Sequence, residues 1–293
     1  DERPLRNWGG DIVTYDLIDV KPIAGALGAE IEGIDMSKPL GNQAFKEVHD
    51  ALMAHQVIFF RDQDITPGDH VAFARQFGTL HVHPYAPSHP DHPEVLILKS
   101  SKANRSAANA WHSDVTFQEE PPLGSILLAR EVPETGGDTM WANMYDAYET
   151  LSAPMKRYLE GMKALNTAGR ASFEKAYDNL SKEEQAEIKA GRMSEGGVEH
   201  PIVRTHPVTG RKALYVNSIF TQKIAGVSSK ESRAILDYLF DHLKKPEFTC
   251  RFRWRKGSVA FWDNRCTQHY AIADYGDATR EMHRVTVNGD RPF

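Results

Sequence analysis

Cysteine is scarce in this chain. Cys250 and Cys266 are the only two, too few for a disulfide framework or a thiolate zinc site, which fits a reducing compartment. Long apolar runs are missing as well. No stretch approaches the roughly 18 apolar residues of a membrane span, and the opening DERPLRNWGG lacks the apolar core of a secretory signal. A cytoplasmic location is therefore expected, on a sequence that starts at Asp1 rather than Met. Neither sign of charge dominates: 35 Lys and Arg against 40 Asp and Glu leave a formal net charge of −5. Nothing draws such a chain to nucleic acid or to an anionic membrane, so any anion binding has to be local. Internal repeats, low-complexity tracts and a dividing Pro/Gly/Ser linker are absent too. One domain over residues 1–293 is expected, with residues 1–14 as a flexible N-terminal segment.

What is present reads as an ordinary globular chain, 41% hydrophobic and 26% charged, which excludes disorder and fibrous repeats. Phe45, Val48, Ala51 and Leu52 fall at helical spacing within Ala44 to His55, and the apolar run Val57 to Phe60 follows as a buried strand. Thr66-Pro67 is an N-cap followed by proline, opening a helix that Gly78 closes. Short runs at Val95–Leu98, Ser125–Ala129, Asp138–Trp141, Ala213–Asn217, Phe248–Trp254, Val259–Trp262 and Arg284–Asn288 read as strands of a barrel or sandwich. Two helical patterns interrupt them: Met144 to Met162, broken at Pro154, and Ser229 to Lys244, opened by the capping box Ser228-x-x-Glu231. The expected fold class is mainly β with helices (α+β), a jelly-roll core carrying helices. Ser172 to Glu199 is charged and glycine-containing, and residues 166–200 are the candidate lid insert.

Trp111-His112-Ser113-Asp114 places an imidazole and a carboxylate at i and i+2, on one face of an extended segment. A nitrogen and an oxygen donor suit a first-row metal, and a third ligand would leave three positions open. Taken alone, such a His-x-Asp pair is more often a turn cap or a hydrogen-bonding pair. His269, which ends FWDNRCTQH and lies 269 − 114 = 155 residues downstream, supplies the third donor. Arg280 and Arg284, four apart, share a face if extended, and a guanidinium there could clasp a carboxylate; alone, either reads equally well as a surface ion pair. His81-Val82-His83 offers a rival His-x-His metal pair, and Cys266 reads as a packed thiol.

WHSDVTF, the GGDT of Gly136–Thr139, WDNRCTQHYAIADY and HRVTVNGDRPF resemble the TauD/TfdA family of dioxygenases. So do GALGAEIEGIDMSKPL, HQVIFFRDQDITP, RQFGTLHVHP and HPIVRTHPVTGRKALYVN, in the same order and over nearly the whole chain. The resemblance implies a double-stranded β-helix with Fe(II) on His112, Asp114 and His269. It also implies 2-oxoglutarate on Arg280 and Thr139, with O2 as second cosubstrate. For a small anionic organic substrate it implies His83, Arg284 and Phe220. Against the family pattern Tyr85 stands one place before the aligned Ala86, Asn109 one place after Ala108, and Phe173 beside Ser172. Tyr85 and Asn109 are kept as substrate candidates. The implied reaction is hydroxylation of an organosulfonate such as taurine, giving sulfite and an aldehyde with succinate and CO2. The alternatives are an alkyl sulfate ester, an aryloxyalkanoate, or an inactive jelly-roll binding protein. A homodimer or homotetramer is expected.

Overall fold

Strand by strand, the apolar runs are continuous because both faces of one sheet are covered. In β3 (Val57–Phe60) all four residues are buried. Ile58 and Phe60 join one cluster while Val57 and Phe59 join another, which is the period of two expected of a strand with two dry faces. The computed structural model describes residues 14–82, 87–101, 109–168 and 197–293. Around β3, in chain order, lie β1 (Asp19–Pro22), β2 (Ala29–Glu32), α1 (Asn42–His55), α2 (Pro67–Arg75), β4 (Ser88–His89), β5 (His92–Ser100), β6 (Gly124–Glu131) and β7 (Thr139–Asn143). There follow α3 (Met144–Glu149), α4 (Ala153–Leu159), β8 (Lys163–Asn166), β9 (Val198–Pro201), β10 (Val203–Thr205), β11 (Lys212–Leu214), β12 (Thr221–Ile224) and α5 (Ser229–His242). The chain closes with β13 (Thr249–Phe252), β14 (Val259–Asp263), β15 (Thr267–Ala271) and β16 (Arg280–Val287).

The major sheet runs β1-β2-β3-β14-β6-β16-β5-β4, and a smaller sheet runs β13-β7-β15. On the outer face of the major sheet, Ile58, Phe60, Ile126, Leu128, Val259, Phe261, Val285 and Val287 pack with Val48, Ala51 and Leu52 of α1 and Val71, Phe73 and Ala74 of α2. Its inner face meets the smaller sheet, where Phe59 stacks on Phe252 at 4.0 Å and edge-on to Trp141 at 5.3 Å. Aromatic pairs of this kind add about 0.5–1.5 kcal/mol each beyond the area they bury. Two facing sheets around one apolar layer, with helices on the outside, make the expected jelly roll. No helix among the described residues is long and apolar enough to cross a membrane.

Several expected bounds move. The helix expected over Met144–Met162 is two helices, and the break falls before Pro154. The Ser152 side chain caps α4 by accepting from Met155 N, with proline in the first turn where its missing N–H costs nothing. The strand expected over Ala213–Asn217 stops at Leu214. Asn217 leaves the ladder because its side chain accepts from the N–H groups of Ile219 and Phe220, an Asx turn. Phe248 belongs to a 3-10 turn, Pro246–Phe248, and β13 begins after it. Strands β5, β6 and β16 are longer than expected, because polar residues at their ends continue the pairing. The lid insert expected at 166–200 and the segment 1–14 lie, at residues 169–196 and 1–13, outside the described residues.

Candidate metal centre

The smaller sheet gains a fourth, one-residue edge at His112. Its N–H donates to His269 O at 3.1 Å and its carbonyl accepts from His269 N at 2.8 Å. Residues facing each other in this way carry their side chains on the same side, so the backbone ladder itself brings the two imidazoles together, ring centroids 4.1 Å apart. On its other side His269 faces Trp141 of β7, and its ring lies 4.9 Å from that of Trp262. After His112 the chain leaves the sheet. Ser113 Oγ donates to Thr267 O at 2.6 Å, and Val115 takes a left-handed φ of 53°. Between them Asp114 is turned back toward the histidines, with Oδ1 4.0 Å from His269 Nε2.

One ligand atom from each of His112, Asp114 and His269 lies within 4.8 Å of the others, and all three residues are buried. His112 Nδ1 donates to Ala110 O at 2.8 Å, which leaves the Nε2 lone pair unprotonated. Burial depresses the pKa of His112, and burial together with the neighbouring His112 depresses that of His269 to about 3. Both rings are therefore neutral near pH 7. For Asp114 burial pushes the other way, but Arg284 and the two histidines outweigh it and hold the carboxyl well below the usual range. Two neutral imidazoles and one ionised carboxylate are the donor set that borderline divalent metals of the first transition row take, so these residues fit Fe(II).

Strand β16 aims both expected arginines inward. Met282 lies in the layer between the sheets, and Arg280 and Arg284 share its side of the strand. Arg280 is buried, with Nε donating to Gly137 O at 3.2 Å and the guanidinium 5.9 Å from the Trp254 ring. Trp254 Nε1 donates to Thr139 Oγ1 at 3.0 Å, which leaves the Thr139 O–H as a donor beside that cation. Gly136 and Gly137 make this approach possible at φ of 80° and 73°. A Cβ on Gly136 would stand 2.6 Å from Asp274 Oδ1, and one on Gly137 would stand 3.3 Å from Arg280 Cδ. Burial lowers the pKa of Arg280, and no carboxylate pairs with it among the described residues. A buried guanidinium with a hydroxyl donor nearby fits the distal carboxylate of a dicarboxylate such as 2-oxoglutarate.

Arg284 is engaged differently. Its Nη1 donates to Asp114 Oδ1 at 2.9 Å, and its buried Nε has no partner among the described residues. Phe220, presented by the Asx turn of Asn217, meets the His112 ring edge-on at 6.5 Å. Phe117, which the sequence reading did not single out, packs on Phe220 at 5.2 Å. Asn109 is exposed, at the margin of a described stretch, and His83 and Tyr85 lie outside the described residues. The second candidate metal group, His206, Asp263 and Cys266, has its donors in use. His206 Nδ1 accepts from the N–H groups of Val208 and Thr209, its Nε2 donates to Asp263, and Asp263 binds Arg265 through both oxygens. Ser125 and Asn264, which hold Asp114, were also missed; a lone serine opening an apolar run was their one visible signal.

Known proteins are similar to this chain in sequence, in structure or in both. A sulfate ester dioxygenase of Pseudomonas putida, named as alpha-ketoglutarate-dependent, is 38% identical over 278 residues, covering 94% of this chain and 91% of the relative. An alkylsulfatase of Acinetobacter baylyi is 37% identical over 275 residues, with 93% and 86% covered. The crystal structure of a taurine dioxygenase from Burkholderia xenovorans matches with a TM-score of 0.79 at 38% identity, over 94% of this chain and 93% of that one. The family model described as taurine catabolism dioxygenase TauD, TfdA family matches residues 19–286, from the first residue of β1 to the penultimate residue of β16. With its jelly roll, its buried donor set and these likenesses together, the chain belongs to the TauD/TfdA family.

Proposed function

We propose that this protein is an Fe(II)- and 2-oxoglutarate-dependent dioxygenase that hydroxylates a small organic anion, with His112, Asp114 and His269 as its metal ligands. The observation that carries this reading is the convergence of two neutral imidazoles and one ionised carboxylate at one buried point. When bound, Fe(II) with 2-oxoglutarate and O2 supplies the oxidation, in which the keto acid leaves as succinate and CO2 and a substrate C–H becomes C–OH. The chain's own residues do the placing. Arg280 and the Thr139 hydroxyl hold the distal carboxylate of 2-oxoglutarate. Arg284 takes the anionic head of the substrate, and Phe220 and Phe117 wall the space between that head and His112. His83, Tyr85 and Asn109 belong to the same proposal as further substrate contacts.

The substrate proposed is an organosulfonate such as taurine, whose hydroxylated carbon would release sulfite and leave an aldehyde. A sulfate ester is the second reading, favoured by the names of the Pseudomonas and Acinetobacter relatives; an aryloxyalkanoate would present its carboxylate to the same Arg284. A cytoplasmic home, supported by two buried free cysteines, and a homodimer or homotetramer complete the proposal.

The test is succinate release from 2-oxoglutarate with Fe(II) and O2 across taurine, longer alkylsulfonates, alkyl sulfates and aryloxyacetates, each against a control without substrate. One class should stimulate strongly and so name the head group. His112→Ala and Asp114→Ala should abolish that release. A parent protein that binds these anions yet forms no succinate under any condition is the binding protein of the alternative reading.

A further inference from the structure

Both oxygens of Asp114 are in use, and for different purposes. Oδ1 faces His269 Nε2 and takes Arg284. Oδ2 accepts from Ser125 Oγ at 2.8 Å and, more distantly, from Asn264 Nδ2 at 3.5 Å. Ser125 stands on β6 on the same side as Leu127 and Ala129 and is fully buried, with Thr286 Oγ1 at 3.4 Å as its other neighbour. Asn264 is clamped in turn. Its Oδ1 accepts from Trp262 Nε1 at 2.9 Å and from Asp114 N at 3.3 Å, and its N–H donates to Leu123 O at 2.8 Å. Because Oδ1 takes two N–H donors, the amide has one sensible orientation, and it turns Nδ2 toward Asp114. Beyond it, Arg265 and His206 bind the Asp263 carboxylate and fix the turn between β14 and β15 that carries Asn264.

From this arrangement we infer that Ser125 and Asn264 are positioning residues that keep Asp114 a one-oxygen ligand. A carboxylate can grip a divalent ion through one oxygen or through both. The two-oxygen grip would take one of the three positions a keto acid and O2 need. In this chain, swinging Oδ2 toward the metal means giving up a hydroxyl donor in a dry site, where a hydrogen bond to an ionised group is strong. The inference rests on the proposed metal site, and its test separates the two.

Ser125→Ala removes one oxygen from a buried residue and changes little else. Co(II) is titrated into the metal-free parent and variant by calorimetry. The Co(II) d–d absorption is recorded, since its intensity reports coordination number, and 2-oxoglutarate is then titrated anaerobically into each Co(II) complex. The expected result is Co(II) affinity lowered about tenfold, the lower end for loss of a partner to a metal ligand. An altered d–d spectrum and weaker 2-oxoglutarate binding should accompany it, while the metal-free variant still unfolds cooperatively, at a lower temperature that reflects the lost hydrogen bond. Co(II) and 2-oxoglutarate binding with the parent's affinities and spectrum overturns the inference and leaves the metal site standing. A parent that takes up no Co(II) overturns both. Should the variant not fold, a crystal structure of the Mn(II)-loaded parent decides: Oδ1 alone on the metal, with Oδ2 still on Ser125, is expected, and both oxygens on the metal overturns it.

Discussion

At Asp114 two cations have reason to meet one oxygen. Arg284 already sits 2.9 Å from Oδ1, so in the proposed site a metal ion and the guanidinium would compete for that atom, and a substrate anion that drew Arg284 away would relieve the competition. Linkage then requires the metal and the anion to strengthen each other's binding equally. An alkyl sulfate should bind the Co(II)-loaded protein about tenfold more tightly than the metal-free protein, inside the usual range of such couplings. In Arg284→Gln that difference should vanish; equal affinity for the loaded and metal-free parent would contradict the argument. Arg280 poses a simpler case, a buried cation that forms no ion pair with a carboxylate among the described residues. Arg280→Ala should raise the Kd for 2-oxoglutarate at least tenfold, about 1.4 kcal/mol, in an anaerobic titration, with Co(II) affinity kept. The sequence announced part of this site. His112 and Asp114 stand two apart in the chain, and their spacing predicts a shared face. The contact of Arg284 with Asp114 spans 170 residues, and the hold of Asn264 on Asp114 spans 150. Neither spacing carries a local pattern, so only the closed fold reveals them.

Elements were readable where their ends carry chemistry. Helix α5 starts where its capping box predicts, with Ser228 accepting from Glu231 N and Glu231 accepting from Ser228 N. Helix α2 carries a second box, between Thr66 and Asp69. Ser228→Ala should cost about 1 kcal/mol, the usual loss for an N-cap. The effect should appear as a lower melting temperature with Co(II) affinity unchanged, since α5 packs in the cluster around Leu214 and Leu236 and supplies none of the three ligands. Strands were readable where both faces are dry, as in β3 and β14. They were not readable where the chain is short and polar: β1 (DVKP), β12 (TQKI) and β15 (TQHYA) have no apolar alternation to betray them. The omission of β15 matters most, because that strand sets His269 opposite His112.

Among the described residues a dry layer lies between the two sheets, helices pack on the outer face of the larger one, and several histidines are buried. His70 is fully buried, with Nε2 donating to Ile126 O at 3.1 Å, and burial drops its pKa from 6.5 to about 3. Below pH 6.5 the unfolded chain takes up this proton and the folded one does not, so stability is lost as the pH falls through that window toward 3. At pH 5.5 His70 alone should cost about 1 kcal/mol relative to neutral pH. Urea unfolding of the metal-free protein at both values measures this, and His70→Gln, which keeps an N–H donor, should flatten the slope. Strand β16 also fixes a distance inside the barrel. Four residues of extended chain span about 13 Å, so this strand is a ruler with a guanidinium at each mark. In the proposed site, the mark at Arg280 would be set by the length of the cosubstrate, and the mark at Arg284 would limit how far the reacting carbon of a substrate can lie from its own negative charge. Lengthening a substrate beyond that reach should cost turnover before it costs binding, and one residue inserted between the marks would turn one arginine out of the barrel altogether.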